Sequence, residues 1–142
     1  MAYNILIVDD SSPMRAVIKK VIRASGFDVG TFFDAANGAE ALALLDEHWL
    51  DLVLTDHNMP DMDGLTLLKK MKADGDMATI PVVMVTTEGS HERVDTFLAN
   101  GAAAYIRKPF TPEAIRQTLN TLLGEPQDGQ GSTGEGDEGL DF

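Results

Sequence analysis

The sequence predicts an α/β domain in which a doubly wound parallel sheet of five strands is flanked by five helices. Two observations support this fold class. Strand-like and helix-like patterns alternate five times over residues 1–124, and repeated β-then-α units imply a parallel sheet with helices on both faces. The strand-like segments are short apolar runs without a polar face, which is typical of strands buried on both sides.

The predicted strands are mostly β-branched or aliphatic and end close to a polar residue or a turn signal. In chain order they are Ile5–Val8, Val29–Phe33, Leu52–Thr55, Pro81–Thr86 and Ala103–Arg107. In a parallel sheet their carboxyl ends lie along one edge, where ligands usually bind.

The predicted helices begin at capping residues and end near glycine or polar residues. We expect Ser12 to be the N-cap of the first helix, with Pro13 at the first helical position, and Gly26 to end this helix. The remaining helices are Gly38–Leu45, Leu65–Lys72, Glu92–Asn100 before Gly101, and Pro112–Leu123 with Thr111 as its N-cap.

Composition narrows the class of protein. The 142 residues are 44% hydrophobic, which is enough for one compact domain, and no cysteine is present, which excludes disulfides and thiolate chemistry. The net charge of −12 argues against nucleic acid as a partner and favours cations and basic protein surfaces. No apolar run is long enough for a membrane span and no secretory signal begins the chain, so we expect a cytoplasmic protein without membrane insertion.

Residues 125–142 differ in composition from the preceding 124. They carry six acids, five glycines and no basic residue, which predicts a disordered acidic tail after a domain spanning residues 1–124. Two roles remain open for this tail. It is either a solubilising extension or a carrier of a short docking motif, EGLDF, at residues 138–142.

Polar side chains gather at the predicted carboxyl ends of the strands. Asp9 and Asp10 follow the first strand, Asp56 follows the third, Thr86 ends the fourth and Lys108 follows the fifth. If the first and third strands are neighbours, their ends lie about 5 Å apart. Three carboxylates in so small a space repel one another until a proton or a cation neutralises them.

The residue types at these ends favour one chemistry. Oxygen ligands without histidine or cysteine suit a hard cation, and Mg2+ commonly takes one or two carboxylates together with a phosphate. A lysine supplies a compact positive charge next to the acids. A carboxylate, Mg2+, a lysine and a hydroxyl together are typical of a phosphoryl-transfer site in which aspartate is the nucleophile.

Four segments at these strand ends occur in order: ILIVDDSSPMR, LVLTDHNMPDMDG, PVVMVTTE and AAAYIRKPF. Over about residues 3–123 they resemble the receiver domains of bacterial two-component response regulators, above all the small stand-alone chemotaxis response regulator. The resemblance implies a flavodoxin-like fold with strand order 2-1-3-4-5. It implies a response regulator activated by phosphorylation.

The resemblance assigns the acceptor and the metal ligands. Asp56 corresponds to the phosphoacceptor. Asp9 and Asp10 correspond to the acidic pair that binds Mg2+, together with Asp56 and the backbone carbonyl of Asn58. Lys108 corresponds to the lysine that contacts the phosphoryl group.

The resemblance also assigns a switch. Thr86 corresponds to the hydroxyl that moves toward the phosphoryl group, and Tyr105 to the aromatic residue that changes rotamer on activation. The neighbouring Thr87 leaves the threonine assignment open by one residue. Asn58 and Glu88 correspond to positions that set how fast the phosphoryl group is lost.

The implied partners are a sensor histidine kinase that donates the phosphoryl group and a downstream target protein that binds the activated domain. We expect a monomer or a weak homodimer that catalyses nothing on other substrates. It takes a phosphoryl group onto its own acceptor and loses that group by intrinsic autodephosphorylation. Chemotaxis output, a phosphorelay intermediate and a phosphate sink remain open as roles.

Three further classes share part of this pattern. A phosphatase of the haloacid dehalogenase class also forms an aspartyl phosphate, but its nucleophile follows the first strand. A flavodoxin-type carrier needs a hydroxyl-rich phosphate loop there, where Asp9 and Asp10 would repel the phosphate. A degenerate receiver acting as an unphosphorylated scaffold is the third.

Several residues near the site have a simpler interpretation. Asp61, Asp63 and Gly64 are expected to be turn and cap residues rather than ligands. His57 is expected to be a solvent-facing bystander beside the acceptor. The Lys108–Pro109 peptide bond is predicted to be cis, mainly because of the family resemblance, since X-Pro bonds lose only about 0.5–1 kcal/mol in that form.

Overall fold

The computed structural model describes residues 2–87 and 91–123. Five strands and five helices alternate through these residues, as the periodicity predicts. They are β1 (Tyr3–Val8), α1 (Ser12–Ala24), β2 (Val29–Ala35), α2 (Gly38–Glu47), β3 (Leu52–Asp56), α3 (Gly64–Ala73), β4 (Val82–Thr86), α4 (His91–Ala99), β5 (Ala104–Arg107) and α5 (Pro112–Leu123).

The five strands form one parallel sheet in the order β2-β1-β3-β4-β5. This confirms the predicted doubly wound, flavodoxin-like architecture and its strand order. Val8 near the end of β1 pairs with Thr55 near the end of β3. The chain leaves this central pair in opposite directions across the sheet, and a crevice therefore opens beyond their carboxyl ends.

The sheet separates two hydrophobic clusters. On one face, Leu6 and Val53 pack with residues of α2, α3 and α4, among them Phe97. On the other, Ile5 and Leu54 pack with residues of α1 and α5. Successive strand residues alternate between the faces, and all five residues of β3 and of β4 are buried. The central strands therefore read as continuous apolar runs in the sequence.

The start of α1 corrects one prediction. Ser11, not Ser12, is the N-cap: its backbone is extended, and its Oγ accepts a hydrogen bond from the Met14 N–H at 3.2 Å. Ser12 is already helical and Pro13 follows it. The Asp9 carboxylate accepts a hydrogen bond from the Ser11 N–H at 2.9 Å, which holds Ser11 in the turn before the helix.

The other predicted helix boundaries lie within two residues of the structure: α2 ends two residues later, α3 is one residue longer at each end, α4 begins and ends one residue earlier, and α5 has the predicted bounds. Gly26 and Gly101 follow α1 and α4 with φ values of 84° and 102°, a conformation that favours glycine. Thr111 caps α5 by accepting a hydrogen bond from the Ala114 N–H at 3.1 Å. Within the described residues, no helix is both long and apolar enough to cross a membrane. The predicted tail, residues 125–142, lies outside the described residues.

Candidate functional site

Three carboxylates meet where β1 and β3 end. One carboxylate oxygen from each of Asp9, Asp10 and Asp56 lies within 4.8 Å of the others. Asp9 directly follows β1 and Asp56 is the last residue of β3, so the parallel pairing of these strands brings them together. Asp9 and Asp56 are buried, whereas Asp10 is exposed. The crowding predicted from the strand ends is present.

Lys108 supplies a positive charge to this cluster. Its Nζ donates a hydrogen bond to Asp56 Oδ1 at 3.1 Å and lies 3.6 Å from Asp9 Oδ2. The backbone N–H of Lys108 donates to the carbonyl of Thr86 at 2.8 Å, which fixes the residue to the end of β4. The Lys108–Pro109 peptide bond is cis, as predicted.

The charge state of Asp56 reflects opposing effects. Burial raises the pKa of its carboxyl above the ordinary value, and the negative charges of Asp9 and Asp10 act in the same direction. The hydrogen bond and charge of Lys108 lower the pKa of Asp56 but do not compensate fully. Any further cation at the cluster would favour the ionised carboxylate.

The cluster fits a divalent cation. Asp9 Oδ2 is buried and has no hydrogen-bond partner among the described residues, and such an acceptor is costly unless something binds it. All three side chains offer oxygen ligands, which suit a hard ion of the Mg2+ type. The exposed position of Asp10 leaves room for water ligands, which Mg2+ usually keeps.

Arg15 and Asp34 hold the loop that carries Asp9, and the sequence reasoning missed both. Arg15 donates through Nη1 to the Asp9 carbonyl and through Nε to Asp34 Oδ2 at 3.0 Å. Lys19 also pairs with Asp34, at 2.7 Å. Burial raises the pKa of Asp34, but the hydrogen bonds of Lys19 and Arg15 outweigh it and leave the pKa below its ordinary value. Only contact information links these residues, since they lie on α1 and β2.

The two candidate threonines differ in burial. Thr86, the last residue of β4, is 1% exposed, whereas Thr87 is exposed. Thr86 pairs in register with Arg107 of β5. Tyr105, two residues earlier on β5, has 38% of its surface exposed. Of the two threonines, Thr86 rather than Thr87 therefore occupies the buried strand-end position next to Lys108.

The sequence and the fold of this chain are similar to those of known proteins. Residues 5–120 match the family model described as the response regulator receiver domain. The chain belongs to this family. Chemotaxis protein CheY1 of Helicobacter pylori is 42% identical over 122 residues, which are 85% of this chain and 97% of that protein.

Two more relatives are similar to this receiver domain. The chemotaxis protein CheY homolog of Campylobacter jejuni is 42% identical over 85% of this chain and 92% of its own length. The structure of Vibrio cholerae chemotaxis protein CheY4 crystallized at low pH superposes with a TM-score of 0.75 at 34% identity, covering 86% of this chain and 99% of that one. Receiver domains of this CheY type are signalling proteins rather than classic enzymes. The match of residues 5–120 to the receiver family, rather than to a dehalogenase or flavodoxin family, rejects those two alternatives.

The loop between β3 and α3, residues 57–63, contains the expected turn residues. Asp61 has a φ of 69°, and the Asp63 carboxylate caps α3 by accepting a hydrogen bond from the Thr66 N–H at 2.8 Å. The Gly64 N–H donates to the His57 carbonyl at 2.9 Å, which closes the loop. Asn58 lies in this loop with an exposed side chain, and Glu88 lies outside the described residues.

The prediction for His57 was wrong. The side chain is buried, with 5% of its surface exposed, and packs edge-on against Phe97 of α4 with 5.1 Å between ring centroids. Its Nε2 contacts Arg93 Nη1, also on α4. Strand alternation explains this position, because the residue after Asp56 must point to the opposite side of the chain. The period-2 pattern of β3 would have revealed it if extended by one residue.

Proposed function

We propose that this receiver domain accepts a phosphoryl group on Asp56 from a sensor histidine kinase, with Mg2+ as cofactor, and signals through binding of a target protein. The single observation that carries this proposal is the hydrogen bond of Lys108 to Asp56 within a cluster of three carboxylates. A nucleophile, a cation-binding group and a fixed positive charge then share one crevice.

The acceptor acts as an ionised carboxylate. An Asp56 oxygen attacks the phosphorus of a phosphohistidine or a small acyl phosphate; the bond from phosphorus to the leaving atom breaks as the new oxygen–phosphorus bond forms. A carboxylate has no proton to lose, so the domain needs no separate general base. Its contribution is positioning and stabilisation of charge.

Charge at the transferring group is balanced by Lys108 and by the cation. Lys108 Nζ lies within hydrogen-bonding distance of Asp56, and from there it can donate a hydrogen bond to a phosphoryl oxygen as negative charge develops on it. Asp9, Asp10, Asp56 and the backbone carbonyl of Asn58 would hold Mg2+. Bound there, the ion supplies positive charge that lowers the cost of bringing an anionic group to three acids.

The product changes the electrostatics of the crevice. An aspartyl phosphate adds roughly 1.5–2 negative charges, by analogy with other phosphoresidues. Thr86, buried at the end of β4, donates its hydroxyl to the new oxygens and draws its loop toward them. Tyr105 then turns from its exposed position toward the vacated space, and the face formed by α4, β5 and α5 is remodelled.

The experiment is phosphorylation by acetyl phosphate with Mg2+, read by intact mass. We expect wild type to gain one phosphoryl group and Asp56→Asn to gain none, while Asp61→Asn and Asp63→Asn are labelled like wild type. Asp61 and Asp63 are the matched controls because they are nearby acids with turn and capping roles. Equal labelling of wild type and Asp56→Asn would reject the proposal, and no labelling of any protein would favour the scaffold alternative.

A further inference from the structure

An apolar groove opens on the face formed by α4, β5 and α5. It has a volume of about 620 Å³, and its lining includes Leu98, Tyr105, Phe110 and Leu122. Leu98 and Tyr105, which are 45% and 38% exposed, are two of four large hydrophobic side chains exposed in the described part of the chain. Apolar side chains gathered in one concave surface mark an interaction site.

The charge of the groove is opposite to that of the protein. Among the residues that line it, Arg107 is the one charged side chain, and it is exposed. The chain as a whole has a net charge of −12. A positively charged apolar groove on an acidic protein is complementary to a segment that carries acids next to apolar side chains.

The chain itself contains such a segment. Residues 125–142 carry six acids and no basic residue, and their large apolar side chains are Leu140 and Phe142, on either side of Asp141. In the chain this segment comes shortly after α5 (Pro112–Leu123), and Leu122 of that helix lines the groove. At about 3.3 Å per residue, residues 124–139 reach roughly 50 Å, whereas α5 is only about 18 Å long.

We propose that residues 138–142 dock into the groove of their own chain, with Leu140 and Phe142 on its apolar lining and the flanking acids facing Arg107. Attachment to α5 makes this contact intramolecular, so an effective concentration in the millimolar range populates even a weak interaction. Docked residues cover Tyr105 and compete with any target protein for the same face. Phosphorylation of Asp56 would release the docked residues by remodelling the face. That release rests on the proposed function, whereas the docking itself does not.

The absence of cysteine permits a direct test in the full chain. A nitroxide is attached to Gly139→Cys, and amide signal intensities are measured in the unphosphorylated protein. We expect selective loss of intensity at Leu98, Tyr105 and Leu122, and none at Gly30 or Trp49, which lie on β2 and before β3. Uniform or absent loss at the groove overturns the proposal.

Two pairs of variants test the named contacts. Leu140→Ser combined with Phe142→Ser, in the labelled chain, should restore the groove signals, while Ser132→Ala combined with Thr133→Ala should leave them broadened. Arg107→Glu should restore them in part, whereas Lys70→Glu, an equal charge reversal at an exposed site on α3, should not. Broadening that survives both the Leu140 and Phe142 changes overturns the proposal.

Mixing distinguishes the occupant. Spin-labelled chain without nitrogen-15 is combined with nitrogen-15 chain without the label. Docking within one chain leaves the nitrogen-15 signals unaffected, whereas selective broadening at the groove means that the segment binds a second copy and overturns the intramolecular proposal.

Addition of beryllofluoride with Mg2+ separates docking from switching. If the proposed function holds, groove signals recover in wild type and stay broadened in Asp56→Asn. If docking is observed but beryllofluoride changes nothing in wild type, release by phosphorylation is overturned while the docking site stands.

Discussion

The ionised form of Asp56 is less favourable in the folded protein than the ionised form of an aspartate in water. Burial and the charges of Asp9 and Asp10 raise its pKa, and Lys108 offsets only part of that rise. Ionised Asp56 therefore destabilises the folded state until a cation neutralises it. The cost is measurable as a dependence of stability on pH.

Asp56→Asn is expected to raise the melting temperature at neutral pH when Mg2+ is removed by a chelator. The folded state binds the Asp56 proton more tightly than the unfolded state, in which the pKa of the carboxyl is close to the ordinary aspartate value of 3.8. The wild-type penalty is therefore absent below that value, grows as pH rises through the raised folded pKa, and is complete above it. Thermal unfolding across this range checks the sign.

Asp61→Asn is the control for this experiment, because Asp61 lies in the exposed part of the loop and asparagine tolerates its positive φ. It should leave the melting temperature nearly unchanged at every pH. An Asp56→Asn protein that is less stable than wild type at neutral pH would contradict the assignment of electrostatic strain to Asp56.

Mg2+ binding is expected to depend on Asp10. Asp10→Ala should weaken Mg2+ affinity by roughly tenfold or more, since the loss of groups that merely support metal ligands already costs 10–100-fold. Because Asp10 is exposed, its removal should leave the fold intact, unlike a change at buried Asp9. Amide shifts during a Mg2+ titration measure the affinity, and Asp61→Ala is the control. Equal affinities in Asp10→Ala and wild type would remove Asp10 from the ligand set.

At the residue scale, the sequence predicted which polar side chains meet at the strand ends better than it predicted what packs around them. Asp9, Asp10, Asp56 and Lys108 could be found because parallel strands bring their carboxyl ends together. The inward position of His57 follows from strand alternation, but its packing partner Phe97 could not be found, because that contact depends on where α4 crosses the sheet. Local pattern carries no information about the packing partner of a residue beyond a strand end.

At the scale of elements, the loop between β3 and α3 ends at Gly64, where there is no room for a side chain. A Cβ on Gly64 would lie 2.4 Å from the Asp56 carbonyl oxygen and 3.0 Å from His57 Cα, both of them backbone atoms. Main-chain neighbours cannot move aside as a flexible side chain can. The start of α3 is therefore pressed against the backbone that carries the acceptor.

Gly64→Ala is expected to destabilise the protein by about 1–3 kcal/mol, the usual cost of overpacking in a buried site. It should also slow phosphorylation by acetyl phosphate, since the Asp56 backbone must shift. Chemical denaturation and intact mass over time provide the two measurements. Gly75→Ala is the matched control, because a Cβ there meets nothing within 4 Å. Unchanged stability of Gly64→Ala would show that the loop relaxes freely.

The element boundaries show which signals the sequence carries. α5 begins as predicted because Thr111 and Pro112 mark its start by local chemistry. β1 and β2 are each two residues longer than predicted, since polar Asn4 and Asp34 continue the ladder. Asp34 is tolerated in β2 because Arg15 and Lys19 pair with it. Strand continuation through a polar residue depends on a partner elsewhere in the fold.

At the scale of the whole molecule, the crevice and the groove lie at different places on one sheet. The crevice is at the ends of β1 and β3, whereas the groove lies along β5 and α5. Thr86 and Lys108 lie between them, joined by a hydrogen bond from the Lys108 N–H to the Thr86 carbonyl. A change at Asp56 therefore has a short path to the groove through β4 and β5.

Thr86→Ala is expected to separate phosphorylation from switching. The variant should bind beryllofluoride with Mg2+, because Asp56 and Lys108 remain, but amide shifts along residues 91–107 should no longer follow. A complete switch from 1:99 to 99:1 requires about 5.5 kcal/mol of preference, which the Thr86 hydroxyl helps to supply. Thr87→Ala, at the exposed neighbour, should switch like wild type. Equal shifts in Thr86→Ala and wild type would reject this coupling.

β5 and the lysine that follows it contribute side chains to both the groove and the crevice. Tyr105 and Arg107 are exposed toward the groove, Ile106 between them is buried, and Lys108 follows at the crevice. One inserted or deleted residue would exchange inward and outward side chains and move the lysine away from Asp56. Substitutions at positions 105 and 107 can therefore alter the surface of the groove, whereas the length of the segment is fixed by the contact of Lys108 with Asp56.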